Sequence, residues 1–104
     1  MSYNIVISEI AQMDIEDASE YYEVRRKGLS RLFLLSVKDT FKLISRNPLM
    51  YLKIYKEIRR TLTKKFPYAI FYKINDESKE VIIYRILSTY RNPTLWKQSI
   101  NEDD

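Results

Sequence analysis

The chain has 104 residues, of which 45% are hydrophobic and 31% are charged, and its formal net charge is +4. Because this length and composition are typical of one globular domain, we expect a single domain spanning residues 1–104. The chain contains no cysteine and no histidine, which excludes disulfides, thiol nucleophiles and zinc sites built on these residues. Acid–base chemistry would have to use tyrosine, lysine, arginine or a carboxylate, and we expect no metal and no cofactor.

The sequence also lacks the usual signals for membranes and export. No run of about 18 apolar residues is present, so no membrane-spanning helix is expected. The first four residues lack the basic region that opens a signal peptide. We therefore expect a cytoplasmic protein with no membrane partner.

The charges are distributed unevenly along the chain. The first 24 residues contain six acids and no base, whereas residues 25–73 contain fourteen bases and two acids. Residues 74–104 contain four bases and six acids. A cationic middle segment favours a polyanionic partner, either nucleic acid or an acidic peptide. The alternative, that these charges only keep a small protein soluble, remains open at this point.

A short strand and two helices are predicted in the first half of the chain. Residues 3–7 alternate polar with apolar side chains, which is typical of a strand. Ser8 is expected to cap a first helix, because an apolar stripe with helical spacing follows it, made of Ala11, Ile15, Ala18 and Tyr22. Three cations at 25–27 and then Gly28 mark its end. A second helix is expected over residues 29–46 and should form an antiparallel hairpin with the first.

Three strands are predicted after the helices, at residues 56–63, 68–74 and 81–88. Short, turn-forming links join them, so they should form an antiparallel meander. The predicted fold class is α+β with the order β-α-α-β-β-β, a small antiparallel sheet packed on a helical hairpin. A last helical turn is expected near residues 94–100.

Two adjacent arginines in the first of these strands are candidate binding residues. Neighbouring strand residues point to opposite faces, so Arg59 and Arg60 should face different sides of the sheet. We expect one of them to meet the helices and to pair with an acid such as Glu16 or Glu20. The other would face solvent or a ligand.

Three further residues in the C-terminal third are candidates. Arg85 lies within an apolar strand, where a charge must be paired or lie at an open face, and both a structural and a functional role remain open. Arg91 follows the last strand, in a loop position where binding residues concentrate. Trp96 is expected to anchor the C-terminal turn on the sheet, and its alternative role is that of an aromatic anchor in a partner interface.

Short motifs are spread in order over almost the whole chain. They are Ala11, Asp14, Tyr21-Tyr22, Gly28-Leu29, Phe33, Asn47-Pro48, Ile58-Arg59-Arg60, Phe66-Pro67-Tyr68-Ala69-Ile70-Phe71-Tyr72, Val81-Ile82-Ile83 and Arg91-Asn92-Pro93 with Trp96. Each motif is common by itself, but the ordered set resembles the RelE/ParE superfamily of toxins. The resemblance implies the growth-inhibiting toxin of a type II toxin–antitoxin, or plasmid stabilisation, system. It also implies a cognate antitoxin whose C-terminal segment wraps the toxin and folds on binding, giving a toxin–antitoxin hetero-oligomer.

The resemblance leaves two targets open, namely DNA gyrase for ParE-like toxins and mRNA on the ribosome for RelE-like toxins. An RNA endonuclease must deprotonate a 2′-hydroxyl and stabilise charge on the phosphate. The residues that resemblance to the RNase branch points to are Lys64, Lys65, Arg85, Tyr90 and Arg91. Trp96 stands where that branch often has a tyrosine, and an indole N–H can only donate a hydrogen bond.

The ParE-like branch resembles this chain more closely. That branch lacks the cleavage residues and acts by binding, and it shares the Arg59-Arg60 pair, the pattern at 66–68 and the Arg-x-Pro near the end. Many relatives carry a histidine shortly before the Arg-x-Pro, where this chain has Leu87-Ser88-Thr89-Tyr90. We therefore predict a ParE-like binding toxin, and its expected partner-binding or target-binding residues are Arg59, Arg60, Arg85, Arg91 and Trp96. A RelE-like mRNA endonuclease and an inactive family member are the alternatives.

Overall fold

The computed structural model describes residues 2–90, which form two α-helices and five strands. In chain order these are β1 (Asn4–Ile7), α1 (Glu9–Arg25), α2 (Leu29–Arg46), β2 (Lys53–Tyr55), β3 (Ile58–Leu62), β4 (Tyr68–Asn75) and β5 (Glu80–Ser88), with a single 3₁₀ turn at Pro48–Met50. The helical turn predicted near residues 94–100 lies outside the described residues. Neither helix of the described part is long and apolar enough to cross a membrane.

The helical hairpin follows from local signals in the sequence. Ser8 caps α1 as predicted, because its hydroxyl accepts a hydrogen bond from the N–H of Ala11 at 3.1 Å. α1 ends at Arg25, a little earlier than the three cations indicated, and Gly28 then adopts a left-handed conformation with φ of 88°. Glycine reaches this region without the steric cost of a Cβ atom. The chain therefore reverses within three residues and α2 runs back along α1.

The five strands form one sheet in the order β1-β5-β4-β3-β2. The meander from β3 to β5 is antiparallel, as predicted, and the additional strand β2 extends it, also in antiparallel orientation. β1 differs, because it pairs in parallel with β5, so the sheet is mixed. A parallel pair needs a long crossover connection, and here the helical hairpin and strands β2 to β4 provide it.

The strand predicted at residues 56–63 corresponds to β3, and a short strand that was not predicted, β2, precedes it. Lys56 has a φ of 50°, so the backbone turns there, after β2 and before β3. The extra short strand, β2, becomes the outer edge of the sheet. A positive φ at lysine leaves no trace in hydrophobic patterning, which is why the turn at Lys56 was not predicted.

The main core lies between the helical hairpin and one face of the sheet. Three residues of the predicted α1 stripe are buried and the fourth, Tyr22, is half-buried against them. The buried residues of both helices and of the β4 and β5 side that faces them are Ala11, Ile15, Ala18, Phe33, Val37, Ile44, Ile70, Tyr72, Val81, Ile83 and Ile86. A smaller apolar cluster contains Ile58, Ala69, Phe71 and Leu87. These residues alternate along β4 and β5 with those of the main core, so they belong to the opposite face of the sheet.

Candidate functional site

Arg85 is held by a carboxylate from the first helix. Its Nε and Nη2 atoms donate to the two oxygens of Asp14 at 2.8 and 3.0 Å, and the backbone N–H of Ile86 donates to the same carboxylate at 3.0 Å. The two side chains of the ion pair are only 14% and 10% exposed. A bidentate pair of this kind is among the stronger polar interactions in proteins. Of the two roles left open for Arg85, this geometry supports the structural one.

A bulge in β5 places Arg85 for this contact. Phe71 of β4 lies opposite Arg85, but the next residue, Tyr72, lies opposite Ile83. Tyr84 is therefore an additional residue in β5, and such a bulge redirects the side chains next to it. Strict alternation would not have predicted where Arg85 points.

Arg59 lies on the helix-facing side of the sheet but does not pair with a helix acid. It is the cross-strand neighbour of the buried Tyr72, and its Nη1 atom donates to the carbonyl oxygens of Tyr51 at 2.5 Å and Leu49 at 3.4 Å. The prediction that this arginine pairs with Glu16 or Glu20 was wrong. The reason is the strand order, since α1 packs against β5, two strands away from β3.

Arg60 lies on the opposite face, as the alternation of strand side chains predicted. It is the cross-strand neighbour of Phe71 and is exposed. No ion pair or side-chain hydrogen bond involves Arg60 within residues 2–90. Its guanidinium group is therefore available to a macromolecular partner.

Lys64 and Lys65 lie in the turn between β3 and β4. The Ser36 hydroxyl of α2 donates to the carbonyl oxygen of Lys64 at 2.5 Å, and Lys65 has a φ of 72°. Both lysines are exposed and, together with the outer side of α2, they line a groove of about 620 Å³. This groove lies on the α2 side of the molecule.

Tyr90 lines a different cleft, of about 660 Å³, formed by α1 and the adjoining ends of β4 and β5. Its side chain is 87% exposed. Tyr22 and Tyr68 also line this cleft, and the Tyr22 ring packs edge-on against Phe66 at 4.9 Å between centroids. Burial, and then the neighbouring Tyr68, raise the pKa of Tyr22 above its ordinary value. Tyr22 is therefore protonated at neutral pH and is a poor proton acceptor.

Comparison with known protein families identifies the fold. The family model for the ParE toxin of the type II toxin–antitoxin system parDE matches residues 5–93. The chain belongs to this family. It is thus a toxin of the RelE/ParE type, in agreement with the resemblance seen in its sequence motifs. Among curated proteins, the comparison gives no significant match.

Solved structures of RelE/ParE-type systems share the fold of this ParE-family toxin. The chromosomal ParDE system of P. aeruginosa superposes with a TM-score of 0.73 at 13% identity, covering 84% of this chain and 96% of the other. The isolated RelE toxin of E. coli has a TM-score of 0.60 at 14% identity, with coverage of 99% and 100%. The RelBE2 toxin–antitoxin complex of Mycobacterium tuberculosis has a TM-score of 0.60 at 22% identity, with coverage of 85% and 99%.

The described residues expected to cleave RNA differ in their surroundings in this ParE-family toxin. Lys64 and Lys65 line the groove beside α2, Tyr90 lines the cleft beside α1, and Arg85 is bonded to Asp14. The other candidates, Arg91 and Trp96, lie outside the described residues. Within residues 2–90 no group of three or more acidic side chains is placed to hold a metal ion.

The apolar side of the α2 groove was not predicted from the sequence. Leu32, Leu35 and Leu43 lie off the buried stripe of α2, yet they share one side of the helix and are 39–48% exposed. Their spacing of three and eight residues was visible in the sequence. The opposite wall, formed by the β3–β4 turn, depends on tertiary structure and was not visible in the sequence.

Proposed function

We propose that this toxin inhibits growth by binding a cytoplasmic target such as DNA gyrase, in the manner of the ParE branch, rather than by cutting mRNA. The observation that carries the proposal is the bidentate ion pair of Arg85 with Asp14. In an RNA endonuclease the cations that stabilise the phosphate must be available to the substrate. Arg85, one of the candidate cations, is instead bound to a carboxylate of α1.

The state of Arg85 therefore supports a binding toxin. Two donor atoms of Arg85, Nε and Nη2, are bound to Asp14, and both side chains are mostly shielded from solvent. An arginine that stabilises a phosphate in the transition state must offer free N–H donors to it. Arg60, exposed on the sheet face opposite the helices, is better placed for a macromolecular target.

We also propose a cognate antitoxin as the neutralising partner. The family model describes a toxin of a two-component system, and the similar solved structures include a ParDE system and a RelBE2 complex. The cationic segment at residues 25–73, with fourteen bases and two acids, favours a partner that is acidic where it binds. Toxin and antitoxin together would form a hetero-oligomer.

Expression of the chain from a tightly controlled promoter tests the proposed target class. We expect growth to stop, transcripts to remain intact and a DNA-damage response to appear, and co-expression of the antitoxin should restore growth. In parallel, the purified chain should inhibit supercoiling by DNA gyrase.

A triple variant, Lys64→Ala with Lys65→Ala and Tyr90→Phe, tests the alternative that the toxin is an mRNA endonuclease. Cleaved transcripts that disappear with this variant would establish a RelE-like endonuclease and refute the proposal. Normal growth with the unaltered chain would indicate an inactive family member.

A further inference from the structure

The first helix carries a second apolar strip on the side that does not face the sheet. Its inner stripe belongs to the core, yet four large side chains of α1 remain 41–83% exposed, namely Ile10, Met13, Tyr21 and Val24. Their spacing of three, eight and three residues places them on one side of the helix. A contiguous, exposed apolar strip of this kind is typical of an interaction site. We call these four residues the α1 strip.

The border of the α1 strip is acidic. Glu9, Glu16 and Glu20 lie along one side of it at spacings of seven and four residues, and all three are exposed. None of these acids forms an ion pair within residues 2–90. A base, Arg25, lies at the end of the strip, where its guanidinium group stacks over the Tyr21 ring at 4.1 Å. The strip therefore offers apolar contact area beside a row of available carboxylates.

The α2 groove presents a surface of the complementary kind. Its floor contains three leucines that are 39–48% exposed, Leu32, Leu35 and Leu43. Its border contains one acid, Asp39, and four bases, Lys42, Arg46, Lys64 and Lys65. These four bases form no ion pair with a carboxylate in the part of the chain that the structure describes. A positive border around an apolar floor matches an apolar strip with a negative border.

Hydrogen bonds hold the groove in shape without a ligand. The Ser36 hydroxyl donates from α2 to the Lys64 carbonyl oxygen at 2.5 Å, and the Thr63 hydroxyl donates to the Phe66 carbonyl oxygen at 2.8 Å. The α1 strip lies on a regular helix and is equally preformed. Two preformed surfaces associate at a low ordering cost, because little backbone freedom is lost.

We propose that the toxin associates with itself, with the α1 strip of one copy docked in the α2 groove of the next copy. Two observations select a second copy as the occupant, namely the opposite charges at the two borders and the equal lengths of the two surfaces. Ile10 and Val24 lie about 21 Å apart along α1 at the helical rise per residue. Leu32 and Arg46, which mark the ends of the groove on α2, are separated by the same distance. The inference depends neither on the proposed target nor on the antitoxin.

This contact joins two different surfaces, so it is heterologous. The groove lies between α2 and the β3–β4 turn, whereas the strip lies on α1. Each association leaves a groove on one copy and a strip on the other, so the contact continues to longer assemblies unless its rotation closes a ring. Arg60 lies on the sheet face opposite the helices, away from both surfaces. An assembly would therefore display several copies of the surface proposed for the target.

The mass of the full-length chain in solution tests the self-association. Cell-free synthesis supplies the protein without any bacterial partner, and sedimentation velocity measures its mass over a concentration series. We expect the mass to rise with concentration beyond that of a dimer, or to reach that of a closed ring. High salt should reverse the association, because the charges at both borders are screened.

Two pairs of neighbouring residues provide matched variants. Leu35 lines the groove whereas Leu34 does not, and the two are 47% and 42% exposed. Met13 belongs to the α1 strip, whereas the exposed Gln12 lies off it. We expect Leu35→Asp and Met13→Asp each to weaken self-association at least about tenfold, as for central residues of an interface. Leu34→Asp and Gln12→Asp should change it less than about threefold, because positions outside the contact contribute little.

A mixture of the two disruptive variants tests which surfaces meet. Leu35→Asp retains an intact α1 strip, and Met13→Asp retains an intact α2 groove. We expect each variant to be monomeric alone, and the equimolar mixture to form a heterodimer and nothing larger, because one working surface remains on each chain. Thermal melts followed by circular dichroism confirm that every variant is folded.

Several outcomes would overturn the inference. They are a chain that stays monomeric at all concentrations, equal effects of the two members of either matched pair, and a mixture that remains monomeric. A dimer that Leu35→Asp abolishes and Met13→Asp leaves intact would show that two grooves face each other, and it would remove α1 as the occupant. Growth arrest is measured separately, so the toxin activity stands or falls independently of these results.

Discussion

One carboxylate connects the first helix to the last strand. Asp14 accepts hydrogen bonds from Arg85 and from the backbone N–H of Ile86, so it satisfies both the guanidinium and the backbone beside the bulge. Removing one member of a mostly buried pair leaves the other charge without a partner. Asp14 is therefore expected to matter for folding more than other acids of α1.

Asp14→Asn should lower the free energy of unfolding by about 3 kcal/mol, the magnitude typical of a broken buried ion pair. Asp17→Asn is the matched control, because Asp17 lies on the same helix but is exposed, and its effect should stay within about 0.5 kcal/mol. Urea unfolding of both variants measures the difference. If the two variants are equally stable, the ion pair does not have the structural role assigned to it.

Arg60 is expected to act in function rather than in stability. It is exposed and lies on the sheet face opposite the helices, so Arg60→Glu should leave the unfolding midpoint nearly unchanged. The same variant should raise the concentration needed for half-inhibition of the target at least about fivefold, because it reverses a charge at the interface. Lys38→Glu, at an exposed position of α2 that does not line the groove, controls for net charge. Equal inhibition by both variants would show that Arg60 does not contribute to binding the target.

At the scale of the elements, the link between the helices is organised by Glu23. Its carboxylate accepts hydrogen bonds from the Ser30 hydroxyl at 2.7 Å and from the backbone N–H groups of Gly28 at 3.1 Å and Ser30 at 3.3 Å. The Ser30 hydroxyl, followed by these N–H groups, holds the pKa of Glu23 below its ordinary value of 4.5. A negative charge at this point also suits the N-terminal end of α2.

This lowered pKa predicts a pH-dependent contribution to stability. Because the folded state favours the ionised form, Glu23 stabilises the fold at pH values above 4.5, and this contribution is lost as the pH falls through the lowered pKa. Glu23→Gln should therefore be less stable than the unaltered chain at neutral pH, and the difference should shrink in acid. Glu20→Gln, at an exposed position of the same helix, should not show this trend. A difference that stays constant with pH would contradict the assignment.

Gly28 makes the reversal between the helices possible. Its φ is 88°, and a Cβ atom placed there would meet no heavy atom within 4 Å. The cost of Gly28→Ala is therefore confined to the backbone, and it should lower stability by about 1 kcal/mol. Asn tolerates the left-handed region better than Ala, so Gly28→Asn should be the milder change. Thermal unfolding of the two variants tests this order, and the opposite order would contradict it.

The elements also show which features sequence patterns can predict. Sequence patterns predicted both helices and the meander from β3 to β5, because caps, apolar stripes and short links are encoded within a few residues. They did not predict β2, which begins three residues before the predicted strand. The parallel pairing of β1 with β5, and the contact of Asp14 with Arg85, join residues that are far apart in the chain. Neither could be predicted, because strand order and the bulge in β5 decide them. Only one side of the α2 groove could be predicted. The spacing of its leucines lies within one helix, whereas its second wall, the β3–β4 turn, is brought there by the tertiary structure.

At the scale of the whole molecule, the charges separate into two regions. The first 24 residues hold six acids, whereas the groove beside α2 is lined by four bases, Lys42, Arg46, Lys64 and Lys65. A separated charge distribution steers an oppositely charged partner during diffusion.

We expect the association rate with the proposed antitoxin to fall as ionic strength rises, since surface charges are screened within about 10 Å at 0.1 M salt. The dissociation rate should change much less, because short-range apolar contacts are insensitive to screening. Stopped-flow measurements over a salt series test this. An association rate that does not depend on salt would show that the charge separation has no role in capture.

The parallel pairing of β1 with β5 has a consequence for how the toxin is made. Asn4–Ile7 leaves the ribosome well before its hydrogen-bonding partners, which begin at Glu80. Both helices can form on the nascent chain before that point, but the sheet that covers their apolar side lacks the β1–β5 pairing until β5 has been synthesised. A nascent chain that ends before β5 cannot adopt the complete fold, and we therefore expect it to be unable to act on a target.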